Sequence, residues 1–357
     1  MLIQFSVKNY KSFAQRTTLS TAVRNRSGIE FLSTYYSDDQ NIGPLQPINV
    51  INGSNEGRKD LYEALSALRN IVFGNLNHQT GEPFPVQAHK SMPEESPTEF
   101  HIHFLYGTIH YGYSVTLNQS VIFEESLYKH TSQKSARVFE RYKNDDSGKI
   151  EVRTDPRWKK RFPESIERLN DRTLLLFMIF CIEPFQAVRN TMDWFRNELI
   201  LFNEEFSALS REAKRYIKRN GGNQIADMLT TLSPRLVDIL QADKPADENS
   251  TPQMKIATVS AMRLNVFLAC LLEGRFSNRT VVFDGLISGC PTQSEAAFLK
   301  QLGLLAWKYE TQIVCTTPKI SMEEYDKLIP YQVWTITTES LNDSNNRPEL
   351  QPLEQLA

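Results

Sequence analysis

From Ile48 to Val72 the chain reads I-N-V-I-N-G-S-N-E-G-R-K-D-L-Y-E-A-L-S-A-L-R-N-I-V. A short apolar run, Ile48 to Ile51, leads into a glycine-rich turn, Gly53 to Gly57. Leu61, Leu65, Leu68 and Val72 then repeat at three- and four-residue spacing, which predicts a helix. Strand, glycine turn and helix together are the layout of a phosphate-binding loop, in which backbone N–H groups and a helix N-terminus face an anion. The full consensus is G-x-x-x-x-G-K-[ST], with Lys on the β/γ-phosphates and the hydroxyl on Mg²⁺.

The chain approaches that consensus and departs from it. Aligned on Gly53 and Lys59, the loop has Arg58 in place of the second glycine and Asp60 in place of the hydroxyl. Aligned on Gly57, it is one residue short, with Arg58 in the lysine position and Lys59 in the hydroxyl position. Neither alignment supplies a hydroxyl after the lysine, so Mg²⁺ loses a ligand.

At 357 residues the chain has room for one large domain or two modest ones, and 40% hydrophobic residues suffice for a packed core. Lys plus Arg (40) nearly balance Asp plus Glu (42), so no global charge drives it toward nucleic acid or membrane. Cys181, Cys270, Cys290 and Cys315 are scattered and read as buried thiols of a reducing compartment, with no metal site expected. The opening residues alternate like a strand and unlike a secretion signal, and the longest apolar stretch, Leu174 to Ile182, is shorter than a bilayer span. The expected location is the cytoplasm.

Along the chain, Met1 to Val7 and Arg16 to Thr21 read as strands. Residues 24 to 46 and 74 to 98 read as loops. Glu99 to Tyr106 and Ile109 to Leu117 read as a hairpin, extended by Val121 to His130 and Ala136 to Tyr142 into a compact antiparallel sheet over 99 to 153. From Pro163 to Asn223 the pattern is helical: Thr173 to Cys181, Thr191 to Leu199, Phe206 to Arg219, with Ile225 to Leu232 beyond. Basic clusters at Arg157 to Arg161 and Arg211 to Arg219 are either solvated helix faces, the favoured reading, or phosphate contacts for nucleic acid. After a polar linker, Lys244 to Gln253, come a helix over Ile256 to Leu272, a buried strand Thr280 to Phe283 ending in Asp284, a helix Glu295 to Tyr309, and buried strands Gln312 to Thr316 and Tyr331 to Thr337. Apolar strands separated by helices imply a mostly parallel sheet.

In this order the parts resemble the ABC/SMC-like, RecF-like AAA-family ATPases of bacteria, a group that includes many anti-phage defence ATPases. Phe5 to Phe13 looks like that family's first strand and its N-F-[RK]-S-F turn, which lies near the nucleotide and here contains Lys11 and Ser12. The resemblance implies an α/β P-loop NTPase fold, an ABC/SMC-like head with a mixed sheet, an antiparallel β subdomain and a helical insertion. It divides the chain into 1–98 with the degenerate loop, 99–153, 154–250, and 251–357 with the signature, Walker B and switch regions. The nucleotide-binding positions it implies are Lys11, Ser12, Gly53, Ser54, Asn55, Gly57, Arg58, Lys59, Asp60 and Asp284, and Gln87 matches the Gln-loop by position alone.

Much of that family's chemistry is missing. Ala257-Thr258-Val259-Ser260 holds the place of the L-S-x-G signature, so Ser260 stands where glycine admits a partner's γ-phosphate. Gly285 follows Asp284 where a water-positioning glutamate belongs. Ile287 replaces the D-loop aspartate, and Pro318 the switch histidine. One lost transition-state donor costs about 10²–10³ in rate, so little hydrolysis is expected and no residue is assigned as catalytic. The backbone and cations at 53–59 could still hold ATP or ADP, with Mg²⁺ poorly supported. The expected role is a degenerate ATPase-fold scaffold or regulatory subunit of a defence system, joined to an active ATPase or an effector nuclease, with nucleic acid as a further partner and no membrane. The rival is a divergent active ATPase coupled to nucleic-acid binding, with Glu56 or Asp60 as the substitute carboxylate.

Overall fold

Two sheets share out the apolar residues. The computed structural model describes residues 1–22, 44–53, 55–74, 81–131, 134–144, 147–241, 252–285, 295–317, 333–337 and 349–352. Strands are numbered along the chain. The first sheet contains β1 (Leu2–Lys8), β2 (Thr17–Ser20), β4 (Thr98–Tyr106), β5 (Ile109–Leu117), β6 (Ile122–His130), β7 (Ser135–Lys143) and β8 (Ile150–Thr154). Its order is β2-β1-β4-β5-β6-β7-β8, antiparallel throughout. Alternation sets its two faces. Phe100, Ile102 and Phe104 of β4 point into the core, while Glu99, His101 and His103 lie on the other side, half-buried.

The antiparallel sheet expected over 99–153 is therefore present and larger than the sequence indicated. Phe5 of β1 pairs with Ile102 of β4, so the N-terminal strands join this sheet across position 98. Partners about a hundred residues apart leave no local trace.

The second sheet holds β3 (Ile48–Gly53), β9 (Leu199–Leu201), β10 (Thr280–Phe283), β11 (Gln312–Thr316), β12 (Val333–Thr337) and β13 (Glu349–Pro352), in the order β13-β12-β3-β11-β10-β9. All its pairings are parallel except that of edge strand β13, as the buried apolar strands predicted. β9 was not anticipated. The helix expected over Thr191 to Leu199 ends in a π-turn at Trp194–Glu198, and Leu199–Leu201 pairs with β10. Three residues buried on both faces carry no alternation to read.

Helices lie on both faces of this sheet. They are α1 (Asn55–Phe73), α2 (Pro156–Arg161), α3 (Pro163–Glu167), α4 (Leu175–Ile182), α5 (Gln186–Asp193), α6 (Phe202–Asn220), α7 (Asn223–Leu232), α8 (Pro234–Gln241), α9 (Pro252–Leu272) and α10 (Glu295–Lys308). Ile51, Leu199, Leu201, Val282 and Val314 face α1, α4 and the antiparallel sheet in one core. Val50, Ile200, Val281, Phe283, Ile313 and Cys315 face α6 to α10 in the other. Cys270 and Cys315 are buried, and burial pushes both thiols up to about 12. Cys181 is exposed, contrary to expectation, because it lies on the outer side of α4; Cys290 is outside the described residues. By length and composition alone, α9 from Met254 could cross a membrane. Its Leu264, Phe267, Leu268 and Leu271 are buried in the second core instead.

Candidate nucleotide site

In an open parallel sheet, ligands bind beyond the carboxyl ends of the strands. Here β3 ends at Gly53, β10 delivers Asp284, and β11, between them, delivers Thr316 and Thr317. The parts expected from the sequence therefore converge on one edge, with the N-terminus of α1 beside them.

The connection between β3 and α1 differs from the expected turn. The strand runs to Gly53, Ser54 lies outside the described residues, and α1 begins at Asn55. Gly57, Arg58, Lys59 and Asp60 are thus helical, so the second half of the turn expected over Gly53 to Gly57 belongs to α1. Glycine usually signals a loop, yet Gly57 is buried in the first turns of the helix. The donors left for an anion are the helix's own N-terminal N–H groups.

Asp284 is firmly held. Its Oδ1 accepts from Thr316 Oγ1 at 2.7 Å, and Thr316 Oγ1 accepts from the Gly285 N–H at 2.8 Å. Its backbone carbonyl accepts from Asn203 Nδ2 of α6 at 3.1 Å and from Arg263 of α9 at 3.4 Å. Asn203, Arg263 and Thr316 carried no sequence signal, because they come from three separate elements. Gly285 has φ +68°, the left-handed region. A glutamate in its place would be strained as well as new.

Arg58 of α1 feels the charge of this carboxylate. It is only 8% exposed; burial pulls its pKa down, and the charge of Asp284 pushes it back up. Arg58 therefore answers to a carboxylate of its own chain.

Lys11 and Lys59 are engaged too. Asn9 and Lys11 have φ +53° and +46°, conformations that non-glycine residues seldom adopt. The turn is pinned on both sides: Asn9 Oδ1 accepts from the His89 N–H at 2.9 Å, the Lys11 N–H donates to Gln87 O at 2.9 Å, and the Ser12 N–H donates to Asp60 Oδ2 at 3.2 Å. Lys11 Nζ is in close contact with Glu63 and lies 4.0 Å from Asp60; Lys59 Nζ is 3.4 Å from Glu63. Asp60, expected beside the phosphates, instead fastens the N-terminal turn to α1. Gln87 contributes its backbone carbonyl.

The burial of Glu63 acts to raise its pKa, but the hydrogen bond and charge of Lys11, then those of Lys59, outweigh it and hold the carboxyl below the usual range. A depressed carboxylate stabilises the fold at neutral pH and loses that contribution as the pH falls through its folded-state pKa. Glu63→Gln should remove this acid sensitivity and release both lysines. Affinity for ATP, read by calorimetry, should rise roughly three- to tenfold, since about 1.4 kcal/mol is a factor of ten. Unchanged affinity would mean that the lysines do not reach the anion.

Ser260 lies one turn before Arg263 on α9, the helix that reaches the Asp284 carbonyl. It is 3% exposed and sits inside α9, which begins at Pro252, well before the predicted Ile256. Burial inside the helix leaves Ser260 little surface to offer a partner's phosphate. Glu56, one of the two substitute carboxylates considered, points to solvent. Ile287 and Pro318 are outside the described residues.

The basic clusters are solvated, as favoured. Arg161 pairs with Glu183 at 2.8 Å and Arg219 with Glu273, while Arg211, Lys214, Arg215 and Lys218 line the exposed side of α6, opposite Leu209, Ala213 and Tyr216.

No protein-family model matches the chain, and no curated protein matches it. Among solved structures it is similar to an SMC head domain from Thermotoga maritima, at 11% identity and TM-score 0.41, over 98% of each chain. A SmcHead bound to the C-winged helix domain of ScpA matches at 11% and 0.41, over 100% of this chain and 99% of that one. An Smc head domain with an extended coiled coil, bound to the C-terminal domain of ScpA derived from Pyrococcus furiosus, matches at 11% and 0.34, over 99% and 97%.

Proposed function

We propose that the chain is an ABC/SMC-like ATPase fold that has lost hydrolysis and works as a scaffold or regulatory subunit. One observation carries this reading. The cations assigned to the phosphates, Arg58, Lys11 and Lys59, each face an acidic group of the same chain: Asp284 for the first, Glu63 for the other two. An ATP engine keeps such cations for its substrate.

The metal half of the site does not fit Mg²⁺. Oδ1 of Asp284 is occupied by Thr316, Arg58 supplies the positive charge, and no hydroxyl follows Lys59 in the sequence. ATP or ADP would be held, without hydrolysis, by the N-terminal N–H groups of α1.

By resemblance, the setting is bacterial anti-phage defence and the partner an active ATPase or an effector nuclease. Met254, Ile256, Val259 and Met262, each about half exposed on the first turns of α9, supply an apolar surface on which such a partner could close. Nucleic acid is a second candidate, favoured by the exposed row Arg211, Lys214, Arg215 and Lys218; salt-dependent retention on DNA, lost on charge reversal, tests it.

The purified chain with Mg-ATP should turn over more slowly than about 0.1 per second, an order of magnitude below ordinary enzymes. Arg58→Ala and Lys59→Ala should leave that residual rate where it is. Faster turnover, abolished by either substitution, would overturn the proposal in favour of a divergent ATPase.

A further inference from the structure

The outer face of the antiparallel sheet gathers four of the chain's six histidines, and no step of the proposed function uses them. Strand register brings three together. His103 of β4 is directly opposite Gly112 of β5, and His110 of β5 is directly opposite His130 of β6. Cross-strand partners share a face, as do residues two apart on one strand. His103, His110 and His130 therefore project on the same side from three adjacent strands.

Their rings meet. His103 Nδ1 lies 3.0 Å from His110 Nε2, and the His110 and His130 rings stack with centroids 4.3 Å apart. One nitrogen from each ring falls within 4.8 Å of the other two. Gly112 makes the space. A Cβ there would lie 2.7 Å from His130 Nε2 and 3.0 Å from His103 Cε1. At the back of the cluster, His130 Nδ1 is 2.7 Å from Ser135 Oγ, which fixes the ring and directs Nε2 toward the other imidazoles.

We propose that His103, His110 and His130 form a three-imidazole site for a divalent first-row transition ion, Zn²⁺ foremost, bound through Nδ1 of His103 and Nε2 of the other two. Tetrahedral zinc with Zn–N near 2.0–2.1 Å sets its ligand nitrogens about 3.3 Å apart. The first pair, at 3.0 Å, is close to that spacing, and the third nitrogen, within 4.8 Å of both, closes by up to about 1.5 Å. No carboxylate belongs to the set, and imidazole alone selects Zn²⁺, Cu²⁺, Ni²⁺ or Co²⁺ over Mg²⁺ and Ca²⁺. His110 is buried and His103 and His130 are partly exposed; with three protein ligands, the fourth position of a tetrahedral ion falls to water or a ligand atom. The Ser135 contact is the outer hydrogen bond that metal-bound histidines commonly make.

The test uses the full chain, stripped with a chelator and titrated with Zn²⁺ against a competing indicator, and separately with Co²⁺. One equivalent should bind, and Co²⁺ should give the intense visible bands of a tetrahedral centre. His110→Ala and His130→Ala should each weaken Zn²⁺ about a hundredfold or more, since even an outer partner is worth roughly ten- to a hundredfold. Gly112→Ala keeps all three ligands but drives a methyl into His130, and it should weaken binding comparably. Ser135→Ala should cost about tenfold, and His89→Ala, away from the cluster, nothing. Circular dichroism identifies any variant that fails to fold, and Gly112→Ala and Ser135→Ala then carry the decision. Equal affinity in the wild type and all cluster variants, or no stoichiometric ion in the wild type, would reduce the cluster to a hydrogen-bonded stack of rings and overturn the proposal.

Discussion

Glu125→Ala should destabilise the chain by about 3–5 kcal/mol, the cost of removing a buried charge on which neighbouring buried groups depend. Glu125 on β6 is directly opposite Arg141 on β7, and each is 1% exposed. The Glu125 carboxylate accepts from the N–H groups of Leu175 at 2.6 Å and Leu176 at 3.0 Å, and from the Tyr113 hydroxyl at 3.0 Å. The two backbone donors open α4, which has no side-chain cap of its own. A strand residue thus caps a helix and ties the antiparallel sheet to the layer above it. Burial pushes the Glu125 carboxyl up and the Arg141 guanidinium down. Truncation removes the opposite charge that faces Arg141, whose hydrogen-bond partner is the Asn170 carbonyl at 3.0 Å. Glu125→Gln, which keeps shape and one acceptor, should cost about half as much. Urea unfolding reads both, and a loss under about 1 kcal/mol for alanine would show that the pair holds little.

What the sequence disclosed about this fold depended on whether the signal was local. Glu99 to Leu117 alternates because one face meets solvent, so the hairpin was readable residue by residue. Leu199 to Leu201, buried on both sides, had no period and passed as the end of a helix. Asp284 was legible because an apolar strand ending in a carboxylate is a pattern within one segment. Asn203 and Arg263, which hold its carbonyl, belong to α6 and α9 and gain meaning only when those helices pack. The glycines at 53 and 57 suggested a loop, and helix α1, whose apolar side is buried from Leu61 onward, instead extends back to Asn55. The histidines were each visible, but only the register joining β4, β5 and β6 makes them a cluster.

Arg58→Met and Asp284→Ala should each lower stability by about 2–3 kcal/mol, and the double variant by clearly less than the sum. The figure lies below the 3–5 kcal/mol of a fully buried pair because Asp284 is half-exposed. In an ATP engine these two positions serve different ligand atoms, and their loss is felt in turnover while stability changes nearly add. Here Arg58 sits in the field of Asp284, so removing one leaves the other's desolvation without return. Residues that touch or share one network typically show coupling of about 0.5–3 kcal/mol, and a value near the middle of that range is expected. Denaturant unfolding of the four proteins of the cycle measures it. Coupling of about 1–2 kcal/mol in nucleotide-free protein would mean that an internal ion pair has taken over the ground where phosphate and metal would lie. Additive losses, together with ATP-dependent stabilisation of the wild type that Arg58→Met abolishes, would return both residues to a ligand.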